Sequence, residues 1–192
     1  MNKRHFVASI RVAILLATAM TRSLEGQFVV DSFAGTSSIG DGGLAKDAFF
    51  REANVAIRDG NGGYYIADLG QNIVRHVNTA GVISTVLGVP YVYGFGSSGS
   101  KATQTVISDP VALAVDAQGN LFVAEYSGCV IRKVDRQGNQ TVVVGQVGRC
   151  GVGAATGPGP QVLLAYPNDL SMDAQGRHLL HSHHLPCCRP QS

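Results

Sequence analysis

Tryptophan is absent from this sequence of 192 residues, only 15% of it is charged, and its 15 Lys and Arg barely outnumber its 13 Asp and Glu. Hydrophobic residues make up 45%, so a buried core is within reach and wholesale disorder is excluded. The basic residues form no patch. Lys3, Arg4, Arg11 and Arg22 lie near the N-terminus and the rest are scattered, so a nucleic-acid partner finds no electrostatic footprint and none is expected. No apolar run approaches the roughly 20 residues a helix needs to cross a bilayer. Cysteine is scarce: Cys129, Cys150, Cys187 and Cys188. An even count permits disulfides without fixing their connectivity; Cys129 with Cys150 is a candidate pair, and two free, partly buried thiols are the alternative. No Ser/His/Asp or Cys/His set can be assembled, which leaves a nucleophilic hydrolase unsupported. Glycine, in contrast, is plentiful at 24 residues, placed between apolar runs. That distribution reads as many short strands joined by turns.

The first residues form a targeting pattern. "MNKRH" gives a positive start, "FVASIRVAILLATAM" an apolar stretch and Ala17-Thr18-Ala19 a small-residue cleavage pattern. Residues 1–26 read as a signal peptide or leader, helical over about 5–20, which implies a secreted or cell-surface protein. Arg11 interrupts the apolar stretch, so the alternative is a buried helix or an uncleaved anchor, and then this segment is where the chain meets a membrane.

The sequence DAQG occurs at Asp116–Gly119 and again at Asp173–Gly176, 57 positions later, and 57 positions before Asp116 stands Asp59 of "DGNGGYYIAD". Aligned on Asp59, Asp116 and Asp173, each full copy holds four apolar segments of four to six residues separated by Gly and Asn turns. Such segments are too short for helices and suit strands. Strands are expected near 55–58, 64–67, 73–77, 82–87, 111–115, 121–124, 130–134 and 141–144. Four strands per unit at this period is the signature of a β-propeller blade. The fold expected is therefore all-β, with blades at about 29–88 and 89–145 and part of a third at 146–180. Residues 177–192 read as an irregular tail, and the chain reads as an incomplete propeller.

The stretch "YYIADLGQNIVRHVNTAGVISTVLG" resembles an NHL repeat: an apolar strand ending in Ala-Asp, an Asn, a Val-Arg pair, a Gly turn and a closing strand. The second copy has Glu125 for the Asp and Cys129 for the Asn but keeps Ile131-Arg132-Lys133-Val134. "FAGTSSIGDGGLAKDAFF" resembles the connection between blades in secreted and bacterial NHL propellers. The resemblance spans about Phe28–Gly176, within a propeller region of 27–176, and implies a six-bladed ring.

Several residues invite a chemical reading. Asp68 and Glu125 end equivalent second strands. In related six-bladed enzymes of the gluconolactonase type, carboxylates near the axis hold a divalent cation such as calcium, which needs several convergent oxygens. The structural alternative has Asp68 capping the following turn. Arg75 and Arg132 recur 57 apart and read as scaffold, bridging to a neighbouring blade's carboxylate, because a scaffold needs a residue once per blade and a binding site needs it once. His178, His181, His183, His184, Cys187 and Cys188 are metal-ligand types, but their spacing matches no standard finger and they fall where the repeat fades; an irregular tail without metal is expected. "GFGSSGS" and "GVGAATGPG" open no helix and are connections rather than phosphate loops. The reading is a non-enzymatic scaffold, without cofactor, binding a protein or glycan; the alternative is part of a lactonase- or lyase-type enzyme.

Overall fold

The computed structural model describes residues 39–151, 158–172 and, by backbone alone, 178–182. The leader with its expected helix, Asp173, and His183, His184, Cys187 and Cys188 of the tail lie outside the described residues. Two antiparallel four-stranded sheets follow one another. The first is β1 (Ala53–Arg58), β2 (Tyr64–Asp68), β3 (Ile73–Val77) and β4 (Ile83–Leu87), in sequential order. The second is β5 (Pro110–Val115), β6 (Leu121–Glu125), β7 (Val130–Val134) and β8 (Gln140–Gly145), in the same order. β9 (Pro167–Met172) then pairs with β10 (His178–Ser182). The sequence expectation of short strands holds, with boundaries displaced by at most two residues.

The 57-residue step is geometric as well as lexical. β1, β5 and β9 begin at 53, 110 and 167, and single 3-10 turns precede them at Ala45–Asp47, Ala102–Gln104 and Gly159–Gln161. Unusual backbone angles recur at the same interval: Asn72 and Cys129 have φ of 55° and 52°, Asp109 and Tyr166 48° and 49°. Each blade also shows the same register shift on its third strand, at Val74/Arg75 and at Ile131/Arg132. The connecting segments match too. Leu44 bridges Val82 beside β4, and Lys101 bridges Asn139 beside β8, so the segment entering each blade lies along its outermost strand and covers part of an edge that would otherwise recruit other chains.

Burial follows strand alternation. Leu121 and Val123 of β6 join Ala67, Val74, Leu87, Ile107 and Leu113 in the core between the first two sheets. Phe122 and Ala124 point the other way, packing with Ala112, Ile131, Leu164 and Leu170 toward β9. A strand covered on both faces needs an unbroken apolar run rather than alternation, and β6 has "LFVA".

Gly88 and Gly145 close the two blades at φ of 98° and 89°. A Cβ on Gly145 would stand 2.2 Å from the Cys129 carbonyl oxygen and 3.0 Å from Val130 Cα, and one on Gly88 2.4 Å from the Asn72 oxygen. Gly138 also has positive φ, 73°, but nothing lies within 4 Å of its Cβ position. In urea denaturation Gly145→Ala is expected to cost about 3 kcal/mol, backbone strain plus overpacking, and Gly138→Ala only about 1 kcal/mol. Equal costs would mean that the close approach at the end of β8 does not constrain the blade.

Candidate functional site

Each blade buries one complete guanidinium. Arg75 and Arg132, opposite Ile66 and Val123 on the second strands, are both 0% exposed. An unpaired buried charge costs several kcal/mol, so the partners matter. Arg75 donates from Nη2 to Asp41 Oδ1 at 2.5 Å and from Nη1 to the Phe49 carbonyl at 3.2 Å, with its guanidinium 5.3 Å from the Phe50 ring centroid. Arg132 donates from Nε to Glu125 Oε1 at 2.5 Å, from Nη1 to Gln140 Oε1 at 2.5 Å and from Nη2 to the Gly96 carbonyl at 3.0 Å. Both arginines tie the segment entering a blade to that blade's third strand. Their carboxylates belong to the same blade or to its entering segment; neither bridges to a neighbouring blade, because the buried side chain is already enclosed by its own.

Asp68 and Glu125 are likewise 0% exposed. Asp68 accepts from the backbone N–H groups of Arg51 and Glu52 at 3.0 Å each and from Gln71 Nε2 at 2.7 Å. The backbone donors precede β1; from the following turn Asp68 takes a side chain only. Glu125 accepts from Arg132 and, at 3.3 Å, from Ser108 N–H. Burial raises the Glu125 carboxyl above its ordinary value, against the pull of Arg132. All four carboxylate oxygens are thus engaged inside the blades, and among the described residues no three His, Cys, Asp or Glu side chains converge. The arrangement does not fit a hard cation, which needs about six free oxygens.

At the other end of the strands, four loops share one design. Asp59, Asn78, Asp116 and Asp135 each turn Oδ1 back onto the backbone N–H groups two and four residues ahead, at 2.7–3.0 Å. Each has a glycine in fourth place with φ between 73° and 93°. Sequence reasoning found the three aspartates spaced by 57 and missed Asn78 and Asp135, which begin the β3–β4 and β7–β8 loops by the same pattern. A search for Asp or Asn followed three residues later by Gly would have found them.

These loops border a cleft between the first two blades. One part, about 390 Å³, is lined by Arg58, Asp59, Asn61, Asp116, Gln118 and Arg136; an adjoining part of about 360 Å³ shares Asp59 and Arg136 and adds Tyr65, His76 and Thr103. His76 Nε2 lies 2.8 Å from Asp59 Oδ2, and its ring packs on Tyr65 at a tilt of 40° with centroids 4.8 Å apart. One repeat on, Lys133 stands for His76 and Phe122 for Tyr65, and Asn120 replaces Gly63. Asn120 Nδ2 occupies Asp116 Oδ2 at 2.6 Å; a Cβ at Gly63 would come within 2.6 Å of Asp59 Oδ2. The glycine therefore leaves that oxygen to His76. Burial works to raise the Asp59 and Asp116 carboxyls, but His76 or Asn120 and two backbone N–H groups outweigh it and hold both below the ordinary 3.8.

Cys129 and Cys150 form a disulfide, Cα atoms 5.2 Å apart. In the first blade the place of Cys129 belongs to Asn72, which accepts from Asp109 N–H of the second blade at 2.9 Å. A hydrogen bond between blades at one repeat is thus matched by a covalent tie to the outgoing connection at the next.

No family model matches the chain, and no curated protein matches it. Solved structures do. A structural genomics protein of unknown function from Bacteroides thetaiotaomicron aligns at TM-score 0.51 and 20% identity, over 62% of this chain and 29% of its own. An auxiliary nutrient binding protein from the same organism aligns at TM-score 0.55 and 13% identity, over 71% and 36%. A gluconolactonase from Xanthomonas campestris aligns at TM-score 0.44 and 18% identity, over 68% and 36%. The chain spans about a third of the length of these proteins. The neighbours are propeller-type proteins, and the likeness establishes blades of antiparallel four-stranded sheet.

Groups with depressed folded pKa values stabilise above their unfolded value, and that contribution is lost as pH falls through the folded one. Stability should therefore decline as pH drops below 3.8, the ordinary value of Asp59 and Asp116. Asn78 builds the same loop without a charge, so Asp116→Asn should cost about 1 kcal/mol at neutral pH, one altered hydrogen bond, and flatten the acid decline. An unchanged acid limb in pH-dependent chemical denaturation would contradict this.

Proposed function

We propose that the chain is part of a secreted, NHL-type propeller scaffold that binds a saccharide in the cleft between blades, without catalysing a reaction. One observation carries this reading. Four polar side chains that depart from the repeat, Arg58 against Val115, Tyr65 against Phe122, His76 against Lys133 and Arg136 against Thr79, line that cleft. A repeat needs a residue in every blade and a binding site needs it once, so departures gathered in one place mark the site. The volumes suit a small ligand or one unit of a polymer. The walls offer amide and guanidinium hydrogen-bonding groups around a half-buried tyrosine ring, an arrangement matched to a sugar's hydroxyls and apolar face. A structural neighbour named as a nutrient binding protein is in keeping with this.

A protein partner is the second reading, and it too has an observation behind it. Tyr91, Tyr93 and Phe95 are 47–54% exposed beside the β2–β3 turn. Tyr91 holds φ of 64° where Gly148, one repeat later, holds 69°, and a left-handed tyrosine costs about 1–2 kcal/mol. A lactonase- or lyase-type enzyme has less support, since Asp68 and Glu125 have no oxygens free for an axial metal.

Screening the purified chain against a panel of immobilised glycans, with and without chelator, tests the proposal. Saccharide binding that survives chelation and is lost on His76→Ala but kept on Tyr93→Ala is expected. Lactone hydrolysis that disappears with chelator would overturn it, as would binding that depends on Tyr93 alone.

A further inference from the structure

We infer that the saccharide unit held in this cleft carries a carboxylate, received by Arg58 and Arg136; the inference rests on the saccharide reading above. The cleft's own carboxylates are spent. Asp59 Oδ1 takes the N–H groups of Asn61 and Gly63, and Oδ2 faces His76. Asp116 Oδ1 takes Gln118 and Asn120 N–H, and Oδ2 takes the Asn120 side chain. Asp135, in the adjoining part, is closed onto its loop in the same way by Gln137 and Asn139. These acceptors are turned into their loops and away from a ligand.

The donors are not spent. Among the described residues neither Arg58 nor Arg136 makes a side-chain hydrogen bond or ion pair, although both line the cleft. The buried arginines of the third strands are held by their blades, Arg132 through Nε, Nη1 and Nη2 and Arg75 through Nη1 and Nη2. Arg58 comes from the end of β1 and Arg136 from the β7–β8 loop, so the two approach the cleft from different blades. The repeat does not require them, since Val115 and Thr79 fill their places in the other copies. Asp59 and Asp116 keep their charge, so the lining is formally neutral; what it leaves open to a ligand is two planar, permanently charged forks, which select a group rich in acceptors. Guanidinium geometry matches a carboxylate bidentately. A uronic acid residue combines that group with the hydroxyls and ring face of a sugar.

Isothermal titration of the full chain with trigalacturonate, with the same trisaccharide carboxyl-reduced to galactose, and at two salt concentrations, tests the inference. The expected result is at least tenfold tighter binding of the uronate form, weakening with salt. Arg58→Gln and Arg136→Gln should each remove most of that preference without changing the melting temperature. Arg149→Gln, an exposed arginine bonded to Gln146 outside the cleft, should leave it intact. Equal affinity for the acidic and reduced sugars would overturn the carboxylate inference and leave the saccharide reading standing. A preference that survives in both arginine variants would overturn the assignment to this cleft. Binding of neither sugar, with a glycan panel also silent, would remove both.

Discussion

A guanidinium buried on the third strand of each blade is the constraint around which the rest is arranged. A charge taken fully out of water is costly unless a counter-charge and further acceptors meet it. In both blades the carbonyls come from the segment that enters the blade, Phe49 in one and Gly96 in the other. The arginine thereby fixes the path of the connection, and the connection in turn covers the outermost strand. Where the counter-charge comes from is free to vary. In the first blade Asp41 supplies it from the connection, and Asp68 is left to cap the backbone before β1 with help from Gln71.

In the second blade three positions change together. Ser98 stands for Asp41 and can still accept the backbone N–H of Val142, as Asp41 accepts that of Thr85, at 2.9 Å in each case, but it cannot balance Arg132. Glu125, one methylene longer than Asp68, reaches the guanidinium instead. Gly128 stands for Gln71, and a Cβ there would lie 2.9 Å from Glu125 Cβ, so the longer carboxylate uses the room that the glutamine side chain held. A carboxylate within reach of the guanidinium is kept in both blades, although none of the three residues is.

How much of this was legible in the sequence follows from what is local and what is not. The 57-residue spacing and the strand-length apolar runs are local, and they gave eight strands, their order and the connections. The loops opened by Asn78 and Asp135 are local as well, but these two, although 57 apart, are different residue types and do not stand out as a repeated letter. The partners of Arg75 and Arg132 could not be read. The two blades solve one problem differently, and Ser98, Glu125 and Gly128 come together only in three dimensions. Metal ligation by Asp68 and Glu125 fails for the same reason: the sequence shows the carboxylates but not the N–H groups already pointing at them. The cleft was hidden differently again. Asp59 and Asp116 in its lining repeat, but Arg58, Tyr65, His76 and Arg136 do not, and alignment of the copies discards them.

The account turns on the exchange of counter-charge between blades, and transplanting it is the most direct measurement. Glu125→Asp alone shortens the only carboxylate within reach of Arg132 among the described residues and should lower stability by about 3 kcal/mol or more. Adding Ser98→Asp and Gly128→Gln reproduces the first blade's arrangement in the second and should recover most of that loss in chemical denaturation. A tolerated Glu125→Asp, or a triple variant no more stable than the single one, would contradict the claim that each blade is built around a balanced, buried arginine.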